Sequence, residues 1–249
     1  MSNIQKILNT KPSDYPRLIK ALSGELESEN YFCPREHNVT ESSKFFGKES
    51  RLVAGYSNLV LDDDFAYAVL FDKLKDEQMN ICRNNKIDDK AVCRLVQEAV
   101  FEYFGTGRPD DLGRTYLYNA AYQDGRIVSI REFCGNGKAM CLERASLAQN
   151  YFKLLGYDSK LMSGDISLNG SVDLHTYNVV SLSDGDYVFD LVCSKIVDGP
   201  MPSPLMTRLG SGEYYDKVTF VSQSGRTNTI EYKDLKPQVS RSLDEVPKL

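Results

Sequence analysis

The chain has no tryptophan, only two histidines and no CxxC pair. With so few imidazoles and no paired spacing, the six cysteines (Cys33, Cys82, Cys93, Cys134, Cys141 and Cys193) do not form a zinc finger. In 249 residues they are also too sparse for a disulfide scaffold, so they read as free thiols. No apolar run approaches the roughly 18 residues of a membrane span, and the opening MSNIQKILNTKPSDYPRLIK holds no apolar stretch of a secretory signal. A cytoplasmic location is expected, with export by a route that uses no cleaved signal as the alternative. A Lys/Arg block is missing too. The 30 basic and 35 acidic residues leave a net charge of −5, which lacks the footprint of phosphate-backbone binding. Neither a nucleic-acid nor a membrane partner is expected. There is no repeat, which excludes a solenoid. A dinucleotide glycine fingerprint and a spaced set of metal ligands are also absent, so no cofactor and no metal are expected. The Asp62-Asp63-Asp64 run reads as the start of a helix.

What is present, 41% hydrophobic and 26% charged residues, suits a globular protein with a sizeable core. From about Asp62 to Phe104 the pattern is helical, most clearly where Val92, Leu95, Val96, Ala99, Val100 and Tyr103 follow the i, i+3, i+4, i+7 rule. Asp88 or Asp89 caps that helix and Gly105 ends it. The turn-rich stretch from Gly105 to Asp111 marks a soft boundary. Residues 1–105 are thus expected to form a mainly helical extension, 106–235 a catalytic core and 236–249 a polar tail. The segment Thr115 to Phe133, around Asp124-Gly125, reads as a hairpin or flap. A helix is predicted over Cys141 to Leu155, with Gly156 at its left-handed end. Strands are predicted at Ser159–Met162, His175–Leu182, Tyr187–Val192, Lys217–Ser222 and Thr227–Tyr232. The first 15 or so residues and the tail look loosely attached.

Three residues carry the chemistry. Cys141 follows a glycine-containing loop and opens a helix, where unpaired N–H groups and the positive dipole end favour a thiolate and an adjoining oxyanion. Its other reading is a small buried hydrophobe. His175 opens a strand, whereas His37 lies in a polar, loop-like stretch. An imidazole beside the thiol would take its proton; otherwise His175 is a hydrogen-bonded structural residue. Asp190 is a carboxylate inside an apolar strand, so it needs a partner, either His175 or a backbone or arginine donor. A two-residue turn at Asp184-Gly185 would put Asp190 across from Val179, four residues from His175 and out of reach at about 3.3 Å per residue. Pairing therefore calls for a longer or bulged connection within Ser181–Asp186. Asn136 reads as a turn residue or an oxyanion donor, and Cys134 as a packed or a resolving thiol. Glu143 and Arg144 point away from the apolar stripe and read as solvated or paired.

The segments Gly-Lys-Ala-Met-Cys-Leu-Glu-Arg-Ala-Ser-Leu at 137–147, Leu-Leu-Gly-Tyr-Asp-Ser-Lys-Leu-Met-Ser-Gly at 154–164, His-Thr-Tyr-Asn-Val-Val at 175–180 and Tyr-Val-Phe-Asp-Leu at 187–191 resemble the transglutaminase-like cysteine enzymes. That superfamily is related in core architecture to papain-like proteases. The resemblance covers roughly residues 135–192 and implies an α+β fold, a helix bearing the nucleophile packed on an antiparallel sheet. It also implies a triad with Cys141 as nucleophile, His175 as base and acid, and Asp190 as orienter. The expected function is a thiol-dependent hydrolase or amide-group transferase acting on a protein or peptide carbonyl, of protease, glutamine deamidase or transglutaminase type. Two departures stand out. The tryptophan usual near a transglutaminase nucleophile is absent, and Asn136-Gly137-Lys138-Ala139-Met140 replaces the Arg-Gly-Gly-Phe that precedes the cysteine of arylamine N-acetyltransferases. The alternatives are a non-catalytic protein-binding module on the same fold and an arylamine N-acetyltransferase-like acyltransferase.

Overall fold

A computed structural model describes residues 2–23, 32–34, 56–61, 63–83, 86–105, 111–124, 126, 128–168, 171–191, 205–208, 217–221 and 227–237. Its helices are α1 (Asn3–Leu8), α2 (Tyr15–Ser23), α3 (Asp64–Asp76), α4 (Gln78–Ile81), α5 (Asp89–Phe104), α6 (Asp111–Gln123) and α7 (Cys141–Leu155), with 3₁₀ turns at Pro12–Asp14 and Ile130–Phe133. The strands are β1 (Phe32–Pro34), β2 (Tyr56–Val60), β3 (Cys82–Arg83), β4 (Lys86–Ile87), β5 (Val128–Ser129), β6 (Ser159–Leu168), β7 (Ser171–Leu182), β8 (Gly185–Asp190), β9 (Leu205–Arg208), β10 (Lys217–Val221) and β11 (Thr227–Pro237). Helices and a mainly antiparallel strand set make this an α+β protein.

The main sheet is six-stranded, in the order β10-β11-β6-β7-β8-β9, and every neighbouring pair is antiparallel. Helix α7 lies against β6 and β7 on one side and against α5 on the other. Every residue of α7 except Lys153 is buried, which makes it the central element of the core. Phe152 of α7 meets Phe189 of β8 edge-on, with centroids 4.9 Å apart at 88°, a geometry worth about 0.5–1.5 kcal/mol beyond the buried area. A single apolar cluster runs from Ile4 and Ile7 through Leu70, Val96 and Phe104 to Tyr151, Val180 and Phe189, so residues before and after Gly105 share it.

Capping accounts for where the helices start and stop. Asp88 accepts from the backbone N–H groups of Lys90 and Ala91 to open α5. Gly156, at φ 91°, closes α7, and the bond from the Tyr157 N–H to the Phe152 carbonyl completes a Schellman motif.

Three expectations about the periphery are corrected. The opening segment is anchored: Ser2 and Gln5 form a capping box, Ile4 and Ile7 are buried, and Asn3 Nδ2 donates to the Leu154 carbonyl at 3.0 Å. Thr115 to Gln123 belongs to a helix, not a hairpin. Its aromatic and β-branched residues suggest strand, but Leu117 and Tyr118 pack on the core and Ala121 is buried, at helical spacing. Tertiary packing overrides the weak β propensity there. Finally, Lys236 and Pro237 belong to β11, pairing with Ser163 and Met162, and not to the tail.

Candidate active site

The loop before α7 is tied to the end of α5. The N–H groups of Gly135 and Gly137 donate to the carbonyls of Tyr103 and Phe104 at 2.9 and 3.3 Å. Gly135 and Gly137 have φ of 64° and 71°, a left-handed backbone that lets the chain reverse before Met140. Met140 is extended, and Cys141 becomes the first residue of the helix. Cys141 is 8% exposed, set at the helix N-terminus where the dipole and the first-turn N–H groups favour negative charge.

His175 and Asp190 are brought together. His175 Nε2 lies 2.7 Å from Asp190 Oδ2, and both residues are buried, Asp190 completely. The contact does not come from a longer or bulged connection. The β7–β8 turn is a two-residue one at Ser183-Asp184, closed by the Leu182–Gly185 pair. Moving the turn back by one residue shifts every cross-strand partner by two. Asn178 then pairs with Phe189, and Asp190 falls across from Tyr177 instead of Val179. His175 and Asp190 become diagonal neighbours on one sheet face, a separation of about 7–8 Å between backbones that two polar side chains can close. The Tyr177 ring lies parallel to the imidazole at 6.3 Å and 13°. Three contacts hold the turn in place. The Ser183 N–H donates to Asp89 Oδ2 at 3.0 Å, Tyr187 donates to Asp184 at 2.9 Å and Ser181 donates to Asp186 at 2.6 Å.

A buried amide network sets how α7 meets β7. Asn178 Nδ2 donates to the Ala145 carbonyl at 3.1 Å and to Gln149 Oε1 at 3.0 Å, while Gln149 exchanges hydrogen bonds with Ser159. Ala145 lies one helical turn after Cys141, and Asn178 lies three residues after His175. Ser159, the Gln149 partner, pairs with Val180, so α7 starts toward the His175 end of β7, while strand alternation puts the His175 side chain on the sheet face opposite Asn178.

Glu143 and Arg144 are not solvated: both are buried, at 0% and 1% exposure. Glu143 receives Arg114 Nε at 2.9 and 3.0 Å, Tyr118 Oη at 2.7 Å and the Met140 N–H at 2.8 Å. Burial disfavours its charge, but Arg114 and these hydrogen bonds outweigh burial and hold the carboxyl below the ordinary range. Arg144 donates to the carbonyls of Ala139 and Gly105 at 3.1 and 3.3 Å and lies over the Phe101 and Phe104 rings. Burial lowers its pKa to about 10, against the pull of Glu143. Arg114 and Tyr118 have no signal in the sequence beyond their four-residue spacing, because Tyr118 lies in the segment read as a hairpin or flap and Arg114 just precedes it.

Other candidates find structural roles. Asn136 donates to the Glu132 carbonyl and accepts from the Lys138 N–H, so its amide serves the turn. Burial pushes the Cys134 thiol up, as does the charge of Asp63, and the Cys93 thiol is pushed up to about 12. His37 and Asp62 lie outside the described residues. Asp63 caps α3 and accepts from Tyr103 Oη at 2.7 Å. Among the described residues no cluster of His, Cys, Asp or Glu could hold a metal, and no helix is long and apolar enough to cross a membrane.

No family model matches the chain, and no curated protein does. Among solved structures it is similar to a cysteine-to-glutamine variant of the Mycobacterium smegmatis arylamine N-acetyltransferase, at 16% identity and a TM-score of 0.31, over 60% of this chain and 59% of that one. It is also similar to the Mycobacterium marinum arylamine N-acetyltransferase, at 16% identity and a TM-score of 0.31, over 62% and 61% of the two chains. The chain thus spans about three fifths of the length of each enzyme.

Proposed function

We propose that this protein is a cysteine acyl-transfer enzyme with a transglutaminase-like core, in which Cys141, His175 and Asp190 form the catalytic triad. The observation that supports the reading is the buried 2.7 Å pair of His175 and Asp190 in the sheet against which the Cys141 helix packs. Because Asp190 holds Nε2, it orients the ring so that Nδ1 serves the thiol. His175 takes the Cys141 proton, and the thiolate attacks the substrate carbonyl carbon to form a C–S bond. The resulting oxyanion is stabilised at the helix N-terminus, where the Cys141 N–H contributes. The imidazolium then gives its proton to the leaving amine or alcohol, and water or an amine resolves the thioester.

The substrate class follows from the acidic chain and the absence of a nucleotide fingerprint: a protein or peptide carbonyl, handled by hydrolysis or by amide-group transfer. Acetyl transfer to an arylamine, the activity that names the two similar enzymes, would use a thioester on the same sulfur.

The test is acyl-enzyme capture. The protein is mixed with a small activated acetyl ester, acid-quenched, and its intact mass and peptide map recorded. An acetyl adduct confined to Cys141, absent in Cys141→Ala and at least about 100-fold slower in His175→Gln, is the expected result. Absence of any Cys141 adduct in a folded protein removes the reading and leaves a non-catalytic binding module. Turnover of a glutaminyl peptide, an amide substrate, or acetyl-coenzyme A with an arylamine then assigns the acceptor.

A further inference from the structure

The nucleophile helix begins beside a buried ion pair supplied from another element. Glu143, two residues after Cys141, is fully buried, and its carboxylate takes both the Met140 N–H before the sulfur-bearing residue and Arg114 Nε from α6. Tyr118, one turn after Arg114, donates to the same carboxylate, and the guanidinium lies 4.9 Å over the Tyr118 ring. Arg114 Nη2 is buried without a hydrogen-bond partner. A surface ion pair would need none of this. Here one arginine is held by a bifurcated Nε–H bond to a desolvated carboxylate and by an aromatic ring, at the point where the catalytic helix starts.

The charged and titratable groups in contact at this end of α7 are Arg114 and Tyr118 from α6 with Glu143 and Arg144 from α7, and the sheet on which the helix packs carries His175 and Asp190. From α5, the Gly105 carbonyl and the Phe101 and Phe104 rings meet Arg144, while β6 presents the apolar Leu161 toward Ala145. The α1 contact, Asn3 to the Leu154 carbonyl, is at the other end of the helix. Burial opposes the charge of Arg114, but Glu143, Tyr118 and the Cys141 sulfur, in that order, raise its pKa.

We infer that Arg114 is a positioning residue for the acyl-transfer site: through Glu143, which takes the Met140 N–H, it fixes the first turn of α7 and holds a permanent positive charge at the helix start that bears Cys141. This rests on the proposed role of Cys141 but is read out on the thiol itself and not on turnover. A Cys141 thiolate then has the support of a guanidinium that stays charged throughout the working pH range, in addition to that of the imidazole.

The experiment follows the alkylation rate of Cys141 by iodoacetamide from about pH 4 to 10, by peptide mass spectrometry, in the full chain and in Arg114→Gln, Arg114→Lys and His175→Gln. Thermal unfolding establishes that each protein is folded. Arg114→Gln keeps a donor for Glu143 and loses the charge. Its labelling midpoint is expected to rise by about one pH unit, a roughly tenfold lower rate on the acid side of the profile. Arg114→Lys, which keeps the charge, is expected to stay within a few tenths of a unit of the parent. A folded Arg114→Gln with the parent profile overturns the inference. Should that variant fail to fold, Arg114→Lys decides: a folded lysine variant with a midpoint raised by a unit or more overturns the role of the charge, and a retained midpoint supports it. A parent Cys141 that labels no faster than Cys93 and Cys134 would count against the proposed nucleophile instead, whatever the Arg114 variants do.

Discussion

His175 and Asp190 touch at 2.7 Å although they do not face each other in the β7–β8 ladder. The residue across from Asp190 is Tyr177, by continuation of the register that pairs Asn178 with Phe189. The pair is diagonal, so its existence depends on the turn at Ser183-Asp184 and on the contacts that hold it. Chief among these is the carboxylate of Asp89, which accepts from the Ser183 N–H at 3.0 Å and from Tyr157 Oη at 2.9 Å.

Asp190→Asn keeps the shape of the side chain but offers the imidazole an amide in place of a carboxylate. Acylation of Cys141 by an activated ester is expected to fall by about 10²- to 10⁴-fold, as for loss of a triad orienter. Asp190→Leu also strips a buried ring nitrogen of its acceptor, at a cost of about 1–3 kcal/mol. Stopped-flow acylation and urea unfolding measure the two effects separately.

Acid stability reports on Glu143. Its folded-state pKa is depressed below the ordinary 4.5, because Arg114 and the hydrogen bonds outweigh burial. A carboxyl with a lowered folded pKa contributes stability that is fully present above its unfolded value and is lost as the pH falls through the folded one. The free energy of unfolding is therefore expected to decline below about pH 4.5, and Glu143→Gln is expected to flatten that limb. An equally steep acid limb in the glutamine variant would rule out this carboxyl as a source.

Removing Glu143 altogether has a larger cost. Glu143→Ala leaves Arg114 as a buried charge and leaves Tyr118 Oη and the Met140 N–H without their acceptor. Breaking one side of a buried pair costs about 3–5 kcal/mol. Urea titration of the alanine variant beside Arg126→Ala, whose partner Glu132 is partly exposed, is expected to show a far smaller loss for the second.

Gly156 terminates α7 at φ 91° in open surroundings, where the nearest atom to an added Cβ is Asn3 Nδ2 at 3.9 Å. Gly156→Ala should therefore act through backbone strain alone, by about 1–2 kcal/mol. Thermal unfolding checks this, and a neutral substitution would show that the left-handed end is not needed.

Much of the site-bearing part was legible because its signals are local. The stripe from Cys141 to Leu155 with Gly156 behind it marks a helix, and the alternating runs around His175 and Tyr187 mark strands. All three were found where expected, with β6, β7 and β11 running further than their apolar residues indicate. Ser2 and Gln5 form a capping signature that is visible in sequence, but the anchoring of α1 comes from the burial of Ile4 and Ile7, which the polar opening segment does not reveal. Helix α6 was not legible, because Thr115, Tyr116 and Tyr118 favour a strand when taken alone.

The sequence by itself determined which residue types stand at the helix start, on the two strands and in the turn between them, since capping, periodicity and turn chemistry act over a few residues. Only the tertiary structure decided how they meet. The β7–β8 register depends on which two residues make the turn, and a one-residue change there moves Asp190 by two positions along β7. The pairing of Arg114 with Glu143 spans 29 residues of chain and exists because α6 folds against the start of α7. Packing makes that choice: a buried carboxylate must find its cation in three dimensions, and nothing in local sequence specifies which one.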